Sequence, residues 1–161
     1  MRRVRSAEAL DARGVTRALA QLLDYVKRVG LKSSAVREQV ARAALRQPGH
    51  FTVESLAEAM RSGGAADVHL ATLYRTLPVL VDAGLLQVTT ASTAESAQYE
   101  RAFEREHHDH LICRGCGVIV EFNAEAIEAM QRDVAARFGF ELDGHVHELF
   151  GRCRACRSGG R

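Results

Sequence analysis

A chain of 161 residues holds one ordinary domain or two small ones. Its 47% hydrophobic content excludes a long disordered tract. No apolar run approaches the ~20 residues of a bilayer span. The basic start, Met1-Arg2-Arg3-Val4-Arg5, lacks the apolar stretch of a signal peptide. A cytoplasmic protein with no membrane partner is expected. The net charge of +2 hides an asymmetry: residues 1–37 carry 9 Lys/Arg against 3 Asp/Glu, whereas residues 100–161 carry 9 against 11. A basic front and a mildly acidic back imply an anionic partner for the front alone.

Residues 1–17 form an Arg-rich extension, a tail or a short extra helix. From Ala18 to Val29, Leu19, Leu22, Leu23, Val26 and Val29 fall at helical spacing, and Gly30 ends that helix. Ser33 or Ser34 can cap a second helix reaching about Arg46, with Pro48-Gly49 as its stop. Thr52 can cap a third through Met60, and Ser62-Gly63-Gly64 is a loop. A fourth helix is expected from about Leu70 to Ala83, ending at Gly84. Leu85–Thr90 and Ala97–Arg101 read as two extended runs joined by a polar turn. Helices followed by a β-hairpin is the order of a winged helix-turn-helix. In the fourth helix, Leu70, Leu73, Leu77 and Leu80 form an apolar stripe, with Thr72, Tyr74, Arg75 and Thr76 off it. A recognition helix needs one face on the core and one carrying donors and a ring for bases and phosphates. Pro78 departs from the ideal, because it removes one helical hydrogen bond. Lys32, Arg37 and Arg75 are candidate phosphate contacts.

The back half differs in kind. His110–Cys113, Val118–Phe122, Phe140–Leu142 and Val146–Phe150 read as strands. Ala124–Phe138 reads as an amphipathic helix with Ile127, Met130, Val134 and Phe138 on one side. So small a unit cannot build a large core, and a metal staple and dimer formation would both help it. The expected class is therefore α+β: a winged helix-turn-helix over 18–101, a hinge at 102–106, and a small α/β metal-binding dimerisation domain over 107–161.

All four cysteines lie in two Cys-x-x-Cys knuckles, Cys113-Arg114-Gly115-Cys116 and Cys153-Arg154-Ala155-Cys156. Four thiolates make a closed tetrahedral site suited to structural Zn²⁺, with no position left for water or substrate. Two disulfides of a secreted protein are the competing reading. Ahead of the first knuckle runs His107-His108-Asp109-His110. In a strand alternate residues share a face, so His108 and His110 point one way, His107 and Asp109 the other. One segment can thus feed two metal sites of nitrogen and oxygen donors, which suit Fe²⁺, Mn²⁺, Ni²⁺, Co²⁺ or Zn²⁺.

The run Glu106-His107-His108-Asp109-His110-Leu111-Ile112-Cys113-Arg114-Gly115-Cys116-Gly117, then Val120-Glu121-Phe122 and His147-Glu148-Leu149-Phe150-Gly151-Arg152-Cys153, resembles the ferric uptake regulator family. Gly30-Leu31-Lys32, Ala71-Thr72-Leu73-Tyr74-Arg75-Thr76-Leu77 and Asp82-Ala83-Gly84-Leu85 agree with it, so the resemblance covers about 18–157. It implies a dimeric, metal-dependent, winged-helix transcription regulator, not an enzyme. Dimers pairing into tetramers on DNA stay open. By position, Cys113, Cys116, Cys153 and Cys156 match the structural zinc site. His50, Glu100, His108 and His110 match a regulatory interdomain site, with Glu104 and Glu106 as alternative carboxylates. His107, Asp109, Glu128 and His145 match a further site in the dimerisation domain. Tyr74 matches the recognition-helix tyrosine and Lys32 the lysine that reaches the minor groove.

The implied function is repression of metal-uptake genes on double-stranded operator DNA when the regulatory site is filled, with Fe²⁺ expected and Mn²⁺ or Zn²⁺ as alternatives. No cysteine is spare for a zinc-sensing site, and Glu100 and Glu128 stand where peroxide sensors use aspartate. A zinc-, manganese- or peroxide-responsive relative is the alternative. A metal-buffering or heme-binding protein, and a zinc hydrolase using Glu104 or Glu106 as general base, are rival classes.

Overall fold

The computed structural model describes residues 2–3, 9–64, 68–89 and 97–158. In chain order the elements are β1 (Arg2–Arg3), α1 (Ala12–Arg28), α2 (Ala35–Leu45), β2 (His50–Phe51), α3 (Val53–Ser62), α4 (Leu70–Asp82), β3 (Leu86–Thr89), β4 (Gln98–Arg101), β5 (Asp109–Cys113), β6 (Ile119–Asn123), α5 (Glu125–Arg137), β7 (Glu148–Gly151) and α6 (Arg154–Ser158). The chain divides into two compact units, Ser6–Arg105 and Met1–Arg5 with Glu106–Arg161.

In the Ser6–Arg105 unit, α1 starts six residues earlier than its apolar periodicity indicates. The cause is a cap: the Asp11 carboxylate accepts the Gly14 backbone N–H at 2.7 Å. Val15, Ala18, Leu19, Leu22 and Val26 then face inward, whereas Leu23 and Val29 are exposed. Gly30, at φ +73°, lets the chain leave the helix, and the Leu31 N–H closes back on the Val26 carbonyl at 2.9 Å. Ser34 caps α2 by accepting the Arg37 N–H. Thr52 and Ser55 cap α3 reciprocally, each hydroxyl accepting the other's backbone N–H. α4 runs through Pro78, whose missing N–H leaves the Tyr74 carbonyl without its helical donor. Its buried stripe is Leu73, Thr76, Leu77 and Leu80. Leu70 is exposed and Thr76 buried, so the stripe is rotated from the one expected.

The hairpin strands β3 and β4 pair antiparallel from Leu86↔Arg101 to Thr89↔Gln98, and their polar turn lies outside the described residues. A third strand, β2, completes the sheet in the order β2-β4-β3. Two residues after Pro48-Gly49 are too few to show any periodicity. Leu45, Leu56, Leu73, Leu77, Leu80 and Leu85 are fully buried in one core.

The second unit holds a four-stranded sheet in the order β1-β6-β5-β7. β5 pairs antiparallel with β6 and parallel with β7, and α5 lies in the connection that a parallel neighbour requires. Arg2 and Arg3 of the Arg-rich extension pair with Asn123 and Phe122 of β6; residues 1 and 4–8 lie outside the described residues. Phe140–Leu142 is not a strand but irregular chain between α5 and β7. No helix among the described residues is long and apolar enough to cross a membrane.

Candidate metal centres and nucleic-acid interface

The two knuckles meet where β5 and β7 end side by side. Cys113 closes β5, opposite Gly151 of β7, and Cys153 follows two residues later. The Cys156 knuckle turns on the short helix α6. The four Sγ atoms lie within 4.8 Å of one another, and Cys116 and Cys153 are 3.8 Å apart. That separation excludes a disulfide and matches the edge of a Zn–S₄ tetrahedron, about 3.8 Å for 2.3 Å bonds. Gly115 is required by close approach, since a Cβ there would sit 2.8 Å from the Cys156 Sγ. The Cys153 backbone N–H, donating at 3.2 Å and followed by the Cys116 N–H, holds the Cys113 thiol down to about 6. Its bond with Cys153 and crowding by the other thiols push Cys156 up to about 12. One sulfur is thus a ready thiolate near neutral pH, whereas Cys116 and Cys156, both raised, need a cation to ionise.

A second group is built at the start of β5, around Asp109 and the preceding His107. His107 Nε2 lies 3.3 Å from Asp109 Oδ1 and 3.2 Å from Glu128 Oε1 of α5. His145 Nε2 is 3.7 and 3.4 Å from the same oxygens and 2.9 Å from His107 Nε2. Asp109 is 1% exposed, and both its oxygens and Glu128 Oε1 are buried without a hydrogen bond. Buried carboxylate oxygens with no donor are costly unless a cation neutralises them. Two imidazole nitrogens and two carboxylate oxygens fit a divalent transition metal, zinc included.

The remaining candidates form pairs within each unit. In the first, His50 of β2 stands opposite Glu100 of β4, with Nε2 3.4 Å from Oε2. Glu100 is fully buried, accepts the Gln87 amide N–H at 2.7 Å, and pairs with the Arg105 guanidinium. Glu104 is engaged elsewhere: Arg17 donates to both its oxygens at 2.7 Å. In the second unit, the His108 and His110 rings pack edge to face at 5.0 Å, both buried, and Glu106 is exposed. Strand pairing places the buried carboxylate Glu121 opposite His110. Glu121 and His147 carry no local sequence signal as site residues, because only the β6 and β7 registers bring them beside β5.

On α4, Tyr74 and Arg75 are exposed and Thr72 half-buried. The Tyr74 hydroxyl donates to Glu54 Oε1 of α3 at 2.8 Å, which raises its pKa. Lys32 is exposed in the turn before α2, and the Arg37 guanidinium donates to the Lys32 carbonyl at 2.8 Å, bracing that turn. An exposed ring and cations on one helix and one turn can meet bases and phosphates.

Comparison with known proteins agrees with this arrangement. The profile of the ferric uptake regulator family matches residues 28–150. The ferric uptake regulation protein of Campylobacter jejuni is 35% identical over 142 residues, covering 85% of this chain and 89% of that protein. The structure of the Helicobacter pylori ferric uptake regulator, which reveals three functional metal binding sites, superposes with a TM-score of 0.76. It is 28% identical and covers 96% of this chain and 100% of that one. A zinc uptake regulator complexed with zinc and DNA superposes at 0.56, with 26% identity over 89% of this chain and 95% of that one.

Proposed function

Because this chain belongs to the ferric uptake regulator family, whose members are metal-responsive transcription regulators rather than enzymes, we propose that it is an iron-responsive repressor of metal-uptake genes. It binds double-stranded operator DNA as a homodimer in the cytoplasm. Cys113, Cys116, Cys153 and Cys156 hold the structural zinc, and His107, Asp109, Glu128 and His145 an additional metal. His50, Glu100, His108 and His110 are the regulatory ligands.

The observation that carries this reading is the division of that last set. His50 and Glu100 are already paired in the unit that bears α4, and His108 and His110 in the unit that bears the cysteines. A divalent cation supplies the positive charge on which buried imidazoles and a carboxylate can converge. By ligating one ion, these four side chains fix the angle between the units. In a dimer that angle sets the spacing of two α4 helices, which must meet half-sites about one helical turn apart or a multiple of it. A hinge equilibrium biased in this way needs only ~2.7 kcal/mol of differential binding for a 100-fold gain in DNA affinity. Lys32, Arg37, Thr72, Tyr74 and Arg75 supply the DNA contacts, with strong salt dependence. Iron is favoured over zinc because zinc-sensing members of the family often place a cysteine in the interdomain site, and all four cysteines here are committed to the knuckles.

The test is DNA-binding anisotropy on the gene's own upstream region, with structural zinc retained and labile sites stripped. Fe²⁺ (under anaerobic conditions), Mn²⁺, Zn²⁺ and Ni²⁺ are titrated separately at buffered free concentrations. Tight binding with Fe²⁺ or Mn²⁺ at micromolar free metal supports the iron assignment; activation by far lower free Zn²⁺ transfers the protein to the zinc-responsive branch. No metal response overturns the switch. The His110→Ala variant should lose metal-dependent binding by about 100-fold or more, ~2.7 kcal/mol, while remaining a folded, zinc-containing dimer.

A further inference from the structure

His147 belongs to none of the ligand sets above, yet it faces one of them. It sits just before β7, and its carbonyl accepts the His110 backbone N–H at 3.3 Å, so its backbone is tied to β5. The Phe122 ring packs edge to face against its imidazole at 6.2 Å. Its Nδ1 lies 3.5 Å from Asp109 Oδ2, and both atoms are buried without a hydrogen bond. The carboxylate is therefore divided. Oδ1 is the oxygen paired with His107 and His145, and Oδ2 the one paired with His147.

We propose that His147 is the positioning and selectivity residue of the His107–Asp109–Glu128–His145 site, holding Asp109 Oδ2 so that only Oδ1 is offered to metal. This deepens the reading of those four side chains as a metal site and rests on it. With its proton on Nδ1, the imidazole donates to Oδ2 once the pair closes by a few tenths of an ångström. An orienting hydrogen bond on the outer oxygen of a ligating carboxylate fixes its angle and its denticity. The site then offers four single-atom donors, two imidazole nitrogens and two carboxylate oxygens. Four donors suit zinc, whereas manganese and iron favour higher coordination numbers. Without the His147 N–H, Asp109 is free to turn both oxygens inward and admit such ions. His147 thus biases this site toward zinc, whichever ion the regulatory site senses.

The test uses the full-length protein with its structural zinc in place. Co²⁺ is titrated, and the visible d–d spectrum of the His107→Ala variant is subtracted to isolate this site. The wild type should give the intense bands of a four-coordinate ion. His147→Leu fills the space without an N–H; it should give the weak bands of higher coordination, and its Zn²⁺-to-Mn²⁺ affinity ratio should fall by about 10- to 100-fold. His147→Asn restores a donor near the Nδ1 position and should recover the wild-type spectrum and ratio. A His147→Leu protein with an unchanged spectrum and ratio overturns the proposal. So does a His147→Asn protein as impaired as His147→Leu, because packing would then be the cause. A wild type with no His107-dependent cobalt signal overturns the metal-site reading itself, and the role of His147 with it.

Discussion

The two units solve the problem of stability differently. The Ser6–Arg105 unit has a continuous apolar core to which four helices and the sheet all contribute. Six fully buried Leu side chains at its centre, each worth roughly 1.5–3 kcal/mol, give this unit an apolar core of its own. The unit holding β5–β7 has few equivalents: among the described residues, Ile112 and Phe122 are its large buried apolar side chains. No side chain of α5 is buried within the chain; Met130, Val134 and Phe138 are 62%, 50% and 76% exposed. With Phe140, Leu142 and Leu149 they line a groove of about 780 Å³. One unit is held by its own core. The other has little apolar core, and the proposed structural zinc and a second copy over α5 would supply what that core does not.

The largest expected effect tests that contrast at the cysteines. Structural zinc contributes on the order of 10–16 kcal/mol of binding energy in small zinc domains. Strong chelation, or Cys113→Ser, should therefore unfold the β5–β7 unit while the other keeps its transition. Two-transition calorimetry with zinc stoichiometry checks this. Retention of both transitions would contradict the zinc assignment. Acid should act in the same direction, because protons compete for the sulfurs. Cys113, held at about 6 in the metal-free site, is the first sulfur to ionise, and since bound zinc keeps thiolates deprotonated still lower, zinc retention should fall with acid below that value.

An intermediate effect is expected on the α5 face. Met130→Glu places a charge in the apolar groove and should raise the dimer dissociation constant by about 100-fold or more, ~2.7 kcal/mol. Zinc content should stay unchanged. Analytical ultracentrifugation reads the change directly, and an unaltered dimer would place self-association elsewhere.

The smallest effect sharpens the picture of α4. Its own backbone N–H and the Tyr74 hydroxyl keep the Glu54 carboxyl below its usual range, while Glu54 raises Tyr74. The carboxylate's contribution is present above the ordinary Glu pKa and is lost as pH falls through the depressed value. The tyrosine's is present below ~10 and is lost as pH rises through the raised one. Glu54→Gln should bring the Tyr74 ionisation back down, seen as the difference in ultraviolet titration against Tyr74→Phe. An unmoved titration would show that the hydroxyl is not held in solution.

Local signals carried most of the element order. Ser34 and Thr52 marked the starts of α2 and α3, and Gly30 and Gly84 marked the stops, because caps and left-handed turns depend on residue type within a few positions. The same holds for the knuckles, whose spacing is itself the chemistry. Long-range pairing was not legible. β2 is too short to show a period, and Phe140–Leu142 alternates like a strand but has no neighbouring strand to pair with. Leu70 and Thr76 exchanged their expected places because the burial stripe of α4 follows its packing against α2 and α3.

By itself, the sequence determined the helix boundaries that caps dictate, the committed cysteines, and the alternation that sends His107 and Asp109 one way and His108 and His110 the other. Only tertiary structure decided which carboxylates and imidazoles from distant segments join those faces. Glu121 arrives through the β5–β6 register, Glu128 and His145 meet His107 across the unit, and His147 meets Asp109 through the parallel β5–β7 pairing. The physical reason is that a strand fixes which way a side chain points within two residues, whereas its partner is fixed by a pairing register made between segments tens of residues apart.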